Sequence, residues 1–467
     1  MTASFESRLS LACALIAALA VPTAAQTLPP NSPFLGGVPD RVAAPEALPL
    51  SMAEAVRRAL GHNLGILLAD QQVARATGAR RVTFADLLPH VSASLAETRR
   101  KTNLEAFGFP LQEGFPRVVG PFNVFDARVF VTQRVLDFTS LARMQAADHA
   151  LEADRLGYRD ARDLVVLVTA NLYLETLAAD ARVAAVEAQR TTAQALFDQA
   201  IDLRNSGLAA GIDVVRAEVQ LSTARQRATA ARHDFDKLKL QLARVTGLPA
   251  GQAFTLTDAV PFAPPPDLPL AAALERAYAA RPDYLSALAR VREAEARERA
   301  VRLASVPTVH LNADYGAIGL TAGTALSTFS VAGTVSVPLF EGGRQAGRRV
   351  ETASDVRARQ AEADSLRAQI DYDVRVAFLD IEAASEALGV AARARELAAL
   401  QLTQARDRFA AGVVTNIEVV QAQEAVAAAS EGHIGALYAF NVAKALLARA
   451  LGATEQAVQS YFGGSTP

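Results

Sequence analysis

A chain of 467 residues, 51% hydrophobic and 21% charged, has enough apolar material for a large core or an extended bundle. Its net charge of -2 and pI near 6.4 give no basic excess for a nucleic-acid surface. Its single cysteine, Cys13, rules out a disulfide framework.

The N-terminus reads as an export signal over residues 1–25. Arg8 closes a short polar start, Leu9 to Val21 is apolar, and Thr23-Ala24-Ala25 supplies small residues for cleavage before Gln26. That apolar run is too short for a spanning helix, which needs about 20 residues. Cys13 lies inside the signal and too early to close a lipoprotein box, so the exported chain has no thiol. Residues 26–49 follow as an extended segment. No later run reads as a membrane helix: Leu164 to Val168 is the most apolar, and it sits between Asp163 and Glu175.

Beyond residue 50 the chain is duplicated. Leu50-Ser51-Met52-Ala53-Glu54-Ala55-Val56 opens a first helical stretch, and Leu270-Ala271-Ala272-Ala273-Leu274-Glu275-Arg276 opens a second. Pro89 and Pro307, 218 residues apart, each start an alternating stretch. Ser206-Gly207-Leu208 with Ile212-Asp213-Val214-Val215 parallels Ala411-Gly412-Val413 with Ile417-Glu418-Val419-Val420, at an offset of 205. The copies span 50–248 and 270–452. They are joined by a proline-dense connection, 249–269, and followed by a tail, 453–467.

Each copy changes its period twice. Alternation predicts strands at about 89–98 and 124–135, separated by a Gly/Pro/Phe-rich loop from Arg99 to Pro121. In the second copy the strands fall at about 307–315 and 328–338. There Val309, Leu311, Val335 and Val337 oppose His310, Asn312, Thr334 and Ser336. Strands of about ten residues suit a tilted crossing of a bilayer, with the second set facing a water-filled lumen. After Asp137 no proline occurs until Pro249, so residues 137–204 read as one helix about 100 Å long. Residues 344–410 repeat it. Both helices are alanine-rich with an apolar stripe that calls for partner helices, as in a coiled coil. Four strands cannot close a barrel, and open edges are prohibitive in hydrocarbon. The physics asks for an oligomer whose strand count is divisible by four, without choosing three.

The duplicated helix–strand–strand–helix pattern resembles the TolC-type family of outer-membrane efflux proteins over about residues 50–452. The junction Val337-Pro338-Leu339-Phe340-Glu341-Gly342-Gly343 and the paired tip segments carry the resemblance; Gln133-Arg134-Val135-Leu136-Asp137-Phe138 is a degenerate first junction. The resemblance implies a mixed α/β membrane protein in which a long α-helical coiled-coil barrel continues a trimeric, twelve-stranded β-barrel. It also implies a multi-pass outer-membrane location with a tunnel reaching into the periplasm, and docking to a periplasmic adaptor and an inner-membrane transporter.

The family's tips map to Arg204, Gly207, Leu208 and Asp213-Val214, and to Arg408, Gly412, Val413 and Glu418-Val419. A periplasmic entrance is implied at Glu418, Gln421 and Asp213. Where some members carry two acids, this chain has Glu418 and Gln421, and Val414 stands where some have a basic latch residue. Exit ducts for small molecules and for secreted polypeptides share the fold, and a non-conducting scaffold is the remaining alternative. No enzyme, cofactor or metal is expected. The six histidines are scattered, Gly342 to Gly347 lacks dinucleotide spacing, and there is neither a phosphate loop nor a nucleophile elbow.

Overall fold

The computed structural model describes residues 29, 31–39, 43, 45–108, 116–207, 210–258, 268–411, 413 and 416–455. The export signal, Leu208, Gly412, Val414 and most of the tail lie outside the described residues. In chain order the elements are β1 (Leu48–Leu50), α1 (Met52–His62), α2 (Leu64–Ala85), β2 (His90–Asn103), β3 (Val118–Leu136), α3 (Phe138–Asn205) and α4 (Gly211–Val245). They continue with β4 (Phe254–Leu256), α5 (Leu270–Ala280), α6 (Pro282–Leu303), β5 (Thr308–Gly319), β6 (Leu326–Ser336), α7 (Arg344–Ala410) and α8 (Asn416–Ala450).

Local chemistry explains the boundaries. Ser51 caps α1 by accepting from the Glu54 N–H, and Met52, Ala55, Val56 and Ala59 form its buried stripe. Asn63 ends α1 and caps α2 through the Gly65 N–H, whereas Pro282 starts α6 after Arg281. Asn63 and Arg281 are separated by the same 218 residues as the two strand-opening prolines. Asp137 caps α3 through the Ser140 N–H at 3.0 Å. Gly342 and Gly343 have φ of 62° and 85°, a left-handed pair that turns the chain from β6 into α7.

Strands β2, β3, β5 and β6 form one antiparallel sheet in that order. The helices that enter and leave them keep the same order: α2, α3, α6 and α7 stand side by side. The first half of α3 (68 residues) packs between α2 and α6, with Arg80 paired to Asp148 and Arg299 donating to Gln145 at 3.1 Å. In the second half α4 takes the place of α2 and α8 that of α6; Arg232–Glu187 at 2.6 Å and Arg182–Glu431 at 2.7 Å tie them to α3. Buried alanines, Ala142, Ala146, Ala153 and Ala161 on α3 and Ala289, Ala296 and Ala300 on α6, permit the close approach.

The largest apolar clusters lie midway, where the short helices meet the long ones. Leu50, Met52, Val166, Tyr173, Leu174, Leu242 and Phe254 form one; Ala273, Ala277, Ile370, Val374, Phe440 and Leu447 form its counterpart in the second copy. Strand β1 pairs in parallel with β4, and the Tyr173 hydroxyl donates to Leu50 O at 2.9 Å. Truncating such side chains costs about 2–5 kcal/mol each.

Two sequence readings are corrected. The first hairpin extends well into the expected loop, because Arg100 still pairs with Phe122 and Asn103 with Val118 across a register shift. Helix α3 also contains a stretch apolar enough to cross a membrane by length and composition, but more than half of that stretch is buried inside the chain. It is a core segment covered by α1, α6 and α8.

Candidate functional site

The sheet has two chemically distinct faces. Cross-strand partners share a face, so the register links Val309 to Val335, Leu311 to Gly333, Ala313 to Val331 and Tyr315 to Phe329. Strands β2 and β3 continue that face with Val91, Leu95, Val129 and Val131. Its larger side chains are exposed, Phe329 by 78% and Val331 by 66%. The opposite face carries the pairs His310–Thr334 and Thr308–Ser336, with Asn312 between Thr132 and Ala332. The four residues singled out in the second copy thus share one polar face, and the His310 ring lies 3.1 Å from the Thr308 hydroxyl.

The polar face also carries a charged cluster that alternation alone does not identify. Arg128 donates to Asp126 at 2.7 and 2.9 Å and reaches Asp314 of β5 at 3.4 Å. Gly316 opposes Arg128, and a Cβ there would lie 2.6 Å from the Arg128 Cγ. The missing side chain leaves room for the guanidinium to cross the sheet. The only sequence signal was an Asp-x-Arg inside an alternating strand.

At the far end, each hairpin tip has a small core. Val214, expected on the docking surface, is instead buried with Ala200 and Ala217, so its part in the tip is packing. Val419 is fully buried with Ala405 and Ala422, and Leu196 of α3 joins that cluster. Gly207 turns the first tip at φ 74°. Arg204 and Gln421 are exposed, as is Val413. Arg408 and Glu418 are brought together: Nη1 of Arg408 donates to Glu418 Oε1 at 2.5 Å across the second tip. In the first tip Asp213 instead pairs along its own helix with Arg216, at 3.4 Å. The two tips are electrostatically unlike. Above them a groove between the hairpins is lined by Gln189, Thr192, Gln220, Arg227 and Glu424, the last two 3.4 Å apart.

A charge network at the waist joins α3 to the end of α8. Arg449 pairs with Asp160 and lies 3.8 Å from Asp163, while Arg162 holds Glu455 at 2.9 Å. Buried Arg281 bridges Asp283 at 2.7 Å and Asp373 at 2.9 Å. Burial pushes the Asp163 carboxyl from 3.8 to about 6, only partly opposed by Arg449. The folded state therefore holds this proton where the unfolded chain has lost it. Asp163 is neutral in both states below pH 3.8 and costs stability increasingly as pH rises through 6. Asp163→Asn is expected to raise stability at pH 7 by up to about 3 kcal/mol and to change it little at pH 4. Thermal unfolding at the two pH values measures this; equal shifts at both would show that the gain is not proton-linked.

An amphipathic four-stranded sheet with unpaired outer strands, continued by two long helical hairpins, is the architecture of outer-membrane channel components. The chain belongs to the outer membrane efflux protein family, the TolC type, whose model matches residues 55–248 and 273–453. Members of this family are non-catalytic channels. No group of three or more His, Cys, Asp or Glu placed to hold a metal occurs among the described residues.

The fold is similar to that of the Campylobacter jejuni CmeC outer membrane channel, with 15% identity and a TM-score of 0.73, over 91% of this chain and 92% of that one. It is also similar to the Vibrio cholerae outer membrane protein VceC: 18% identity, TM-score 0.72, 86% and 96% covered. The open-state Neisseria gonorrhoeae MtrE outer membrane channel gives 16% identity, TM-score 0.74, and 89% and 94% covered. No curated protein matches by sequence.

Proposed function

We propose that three copies of the chain close a twelve-stranded barrel in the outer membrane and form the exit duct of a tripartite efflux system. The duct passively conducts small molecules delivered by an inner-membrane transporter and a periplasmic adaptor. The observation that carries this reading is the sheet itself. It is apolar on one face and polar on the other, and among the described residues β2 and β6 each have a neighbour on one side only. Such edges demand strands from other copies within hydrocarbon. In the closed barrel Val309, Leu311, Val331 and Val335 face lipid. His310, Asn312, Thr334 and Ser336 face the lumen, with the Arg128–Asp126–Asp314 cluster beside them.

The helices carry the lumen through the periplasm. The tips, at Arg204, Gly207, Leu208, Arg408, Gly412 and Val413, meet the adaptor and transporter. Glu418, Gln421 and Asp213 stand at the entrance, where Arg408 is also a counter-ion. Native mass spectrometry in mild detergent is expected to show three chains, and planar bilayers a steady conductance. A stable monomer or tetramer overturns the trimer, and a trimer without conductance overturns the duct.

A further inference from the structure

Where the sheet passes into the helices, the chain carries a basic surface that neither the sheet nor the tips use. Arg81 on α2, Arg143 on α3, Arg299 on α6, and Arg344, Arg348 and Arg349 on α7 are all exposed. Among the described residues, none of the six has a carboxylate within ion-pair distance. Packing sets them at one height. Arg80, beside Arg81, pairs with Asp148 of α3; Arg299 donates to Gln145 of α3 at 3.1 Å; Arg349 donates to Ser305, just past α6, at 3.3 Å. The first turn of α7 holds no acid, and Glu341 is the one acid between Phe340 and Glu351. At the same junction Leu339 and Phe340 are 92% and 88% exposed.

The two properties together select the partner. Guanidinium groups bind phosphate oxygens in pairs and tolerate partial dehydration. Exposed leucine and phenylalanine beside them fit the boundary between headgroups and acyl chains. A nucleic acid or an acidic protein would answer the charge but not the adjoining apolar pair. We propose that this collar binds anionic glycerophospholipid headgroups in the leaflet next to the helices and so fixes the height of the sheet in the bilayer. The inference rests on the membrane reading above and adds a lipid specificity to it.

The test uses the full chain in mild detergent with equal phosphatidylglycerol and phosphatidylcholine, read by native mass spectrometry. The wild type is expected to retain phosphatidylglycerol preferentially. The triple variant Arg344→Gln, Arg348→Gln, Arg349→Gln is expected to lose that preference by about tenfold or more, with helix content and oligomeric state unchanged. Arg143→Gln with Arg299→Gln is expected to reduce it independently, which keeps the test open if the triple variant does not fold. Equal retention of both lipids by the wild type overturns the proposal, as does unchanged preference in both variants. Changed ion selectivity with unchanged lipid preference would assign the arginines to the lumen and also overturn it. Insertion into neutral and anionic vesicles alike removes only this inference; insertion into neither removes the channel reading itself.

Discussion

Val331→Arg is expected to prevent stable insertion of the sheet into a bilayer, whereas Ser330→Arg, its neighbour on the other face, assembles and alters conductance. Val331 is the central residue of β6, opposite Ala313 of β5, and 66% exposed on the apolar face. An arginine at the middle of a lipid-facing strand costs about 2–4 kcal/mol. In the proposed trimer that cost falls three times in one barrel, which is large against the marginal stability of a folded protein. Ser330 pairs with Asp314, on the face of the Arg128 cluster, where water and carboxylates receive a cation. Heat-stable oligomer on a gel and the yield of membrane-inserted protein read the first effect; single-channel current reads the second. The reverse outcome, with Val331→Arg assembling and Ser330→Arg failing, would mean that the sheet is turned inside out. Leu311→Arg and Asn312→Arg test the same facing nearer the helical end of β5, where a long side chain reaches the headgroups and the contrast is smaller.

The duplication and the long helices were legible because they are periodic. Proline-free runs and a repeated apolar stripe report on a helix 68 residues long without any knowledge of what it touches. The faces of β5 and β6 were legible for the same reason, since alternation alone assigns Leu311 and Asn312 to opposite sides. The outer end of the first hairpin was not legible. Arg99, Arg100 and Lys101 break the alternation, and Gly120-Pro121 looks like a turn, yet backbone pairing continues past both. Contacts between distant residues were also hidden. Nothing in spacing places Arg128 beside Asp314 or Arg281 beside Asp373, because both pairs form across strand and helix order. The burial of Val214 against Ala200 and Ala217 was not legible, because sequence does not set which side of the first turn of α4 faces its own hairpin.

Arg408→Ala is expected to increase cation preference and divalent block several-fold at low salt, and Glu418→Gln to abolish both. The pair spans the second tip at 2.5 Å, with side chains 54% and 38% exposed. An exposed pair of this kind adds only about 0–1 kcal/mol to stability, so either variant folds and the change is confined to the field at the entrance. In the wild type each Glu418 charge is offset by its own Arg408, so in the proposed trimer a ring of three carries little net charge. Removing Arg408 uncovers three carboxylates, and Gln421, one helical turn on and exposed, offers hydrogen bonds but no charge. Gln421→Asp therefore adds a second acidic ring, and it strengthens block most when combined with Arg408→Ala. The readout is single-channel current with divalent cations on the helical side, at about 0.01 M salt, where the Debye length is about 30 Å. At about 1 M salt the variants are expected to converge, because screening falls to about 3 Å. Currents that agree at low salt for the wild type, Arg408→Ala and Glu418→Gln would place the pair outside the conduction path. Its role would then be that of a cross-turn tie within one hairpin, and the entrance would have to be formed by other residues of the tips.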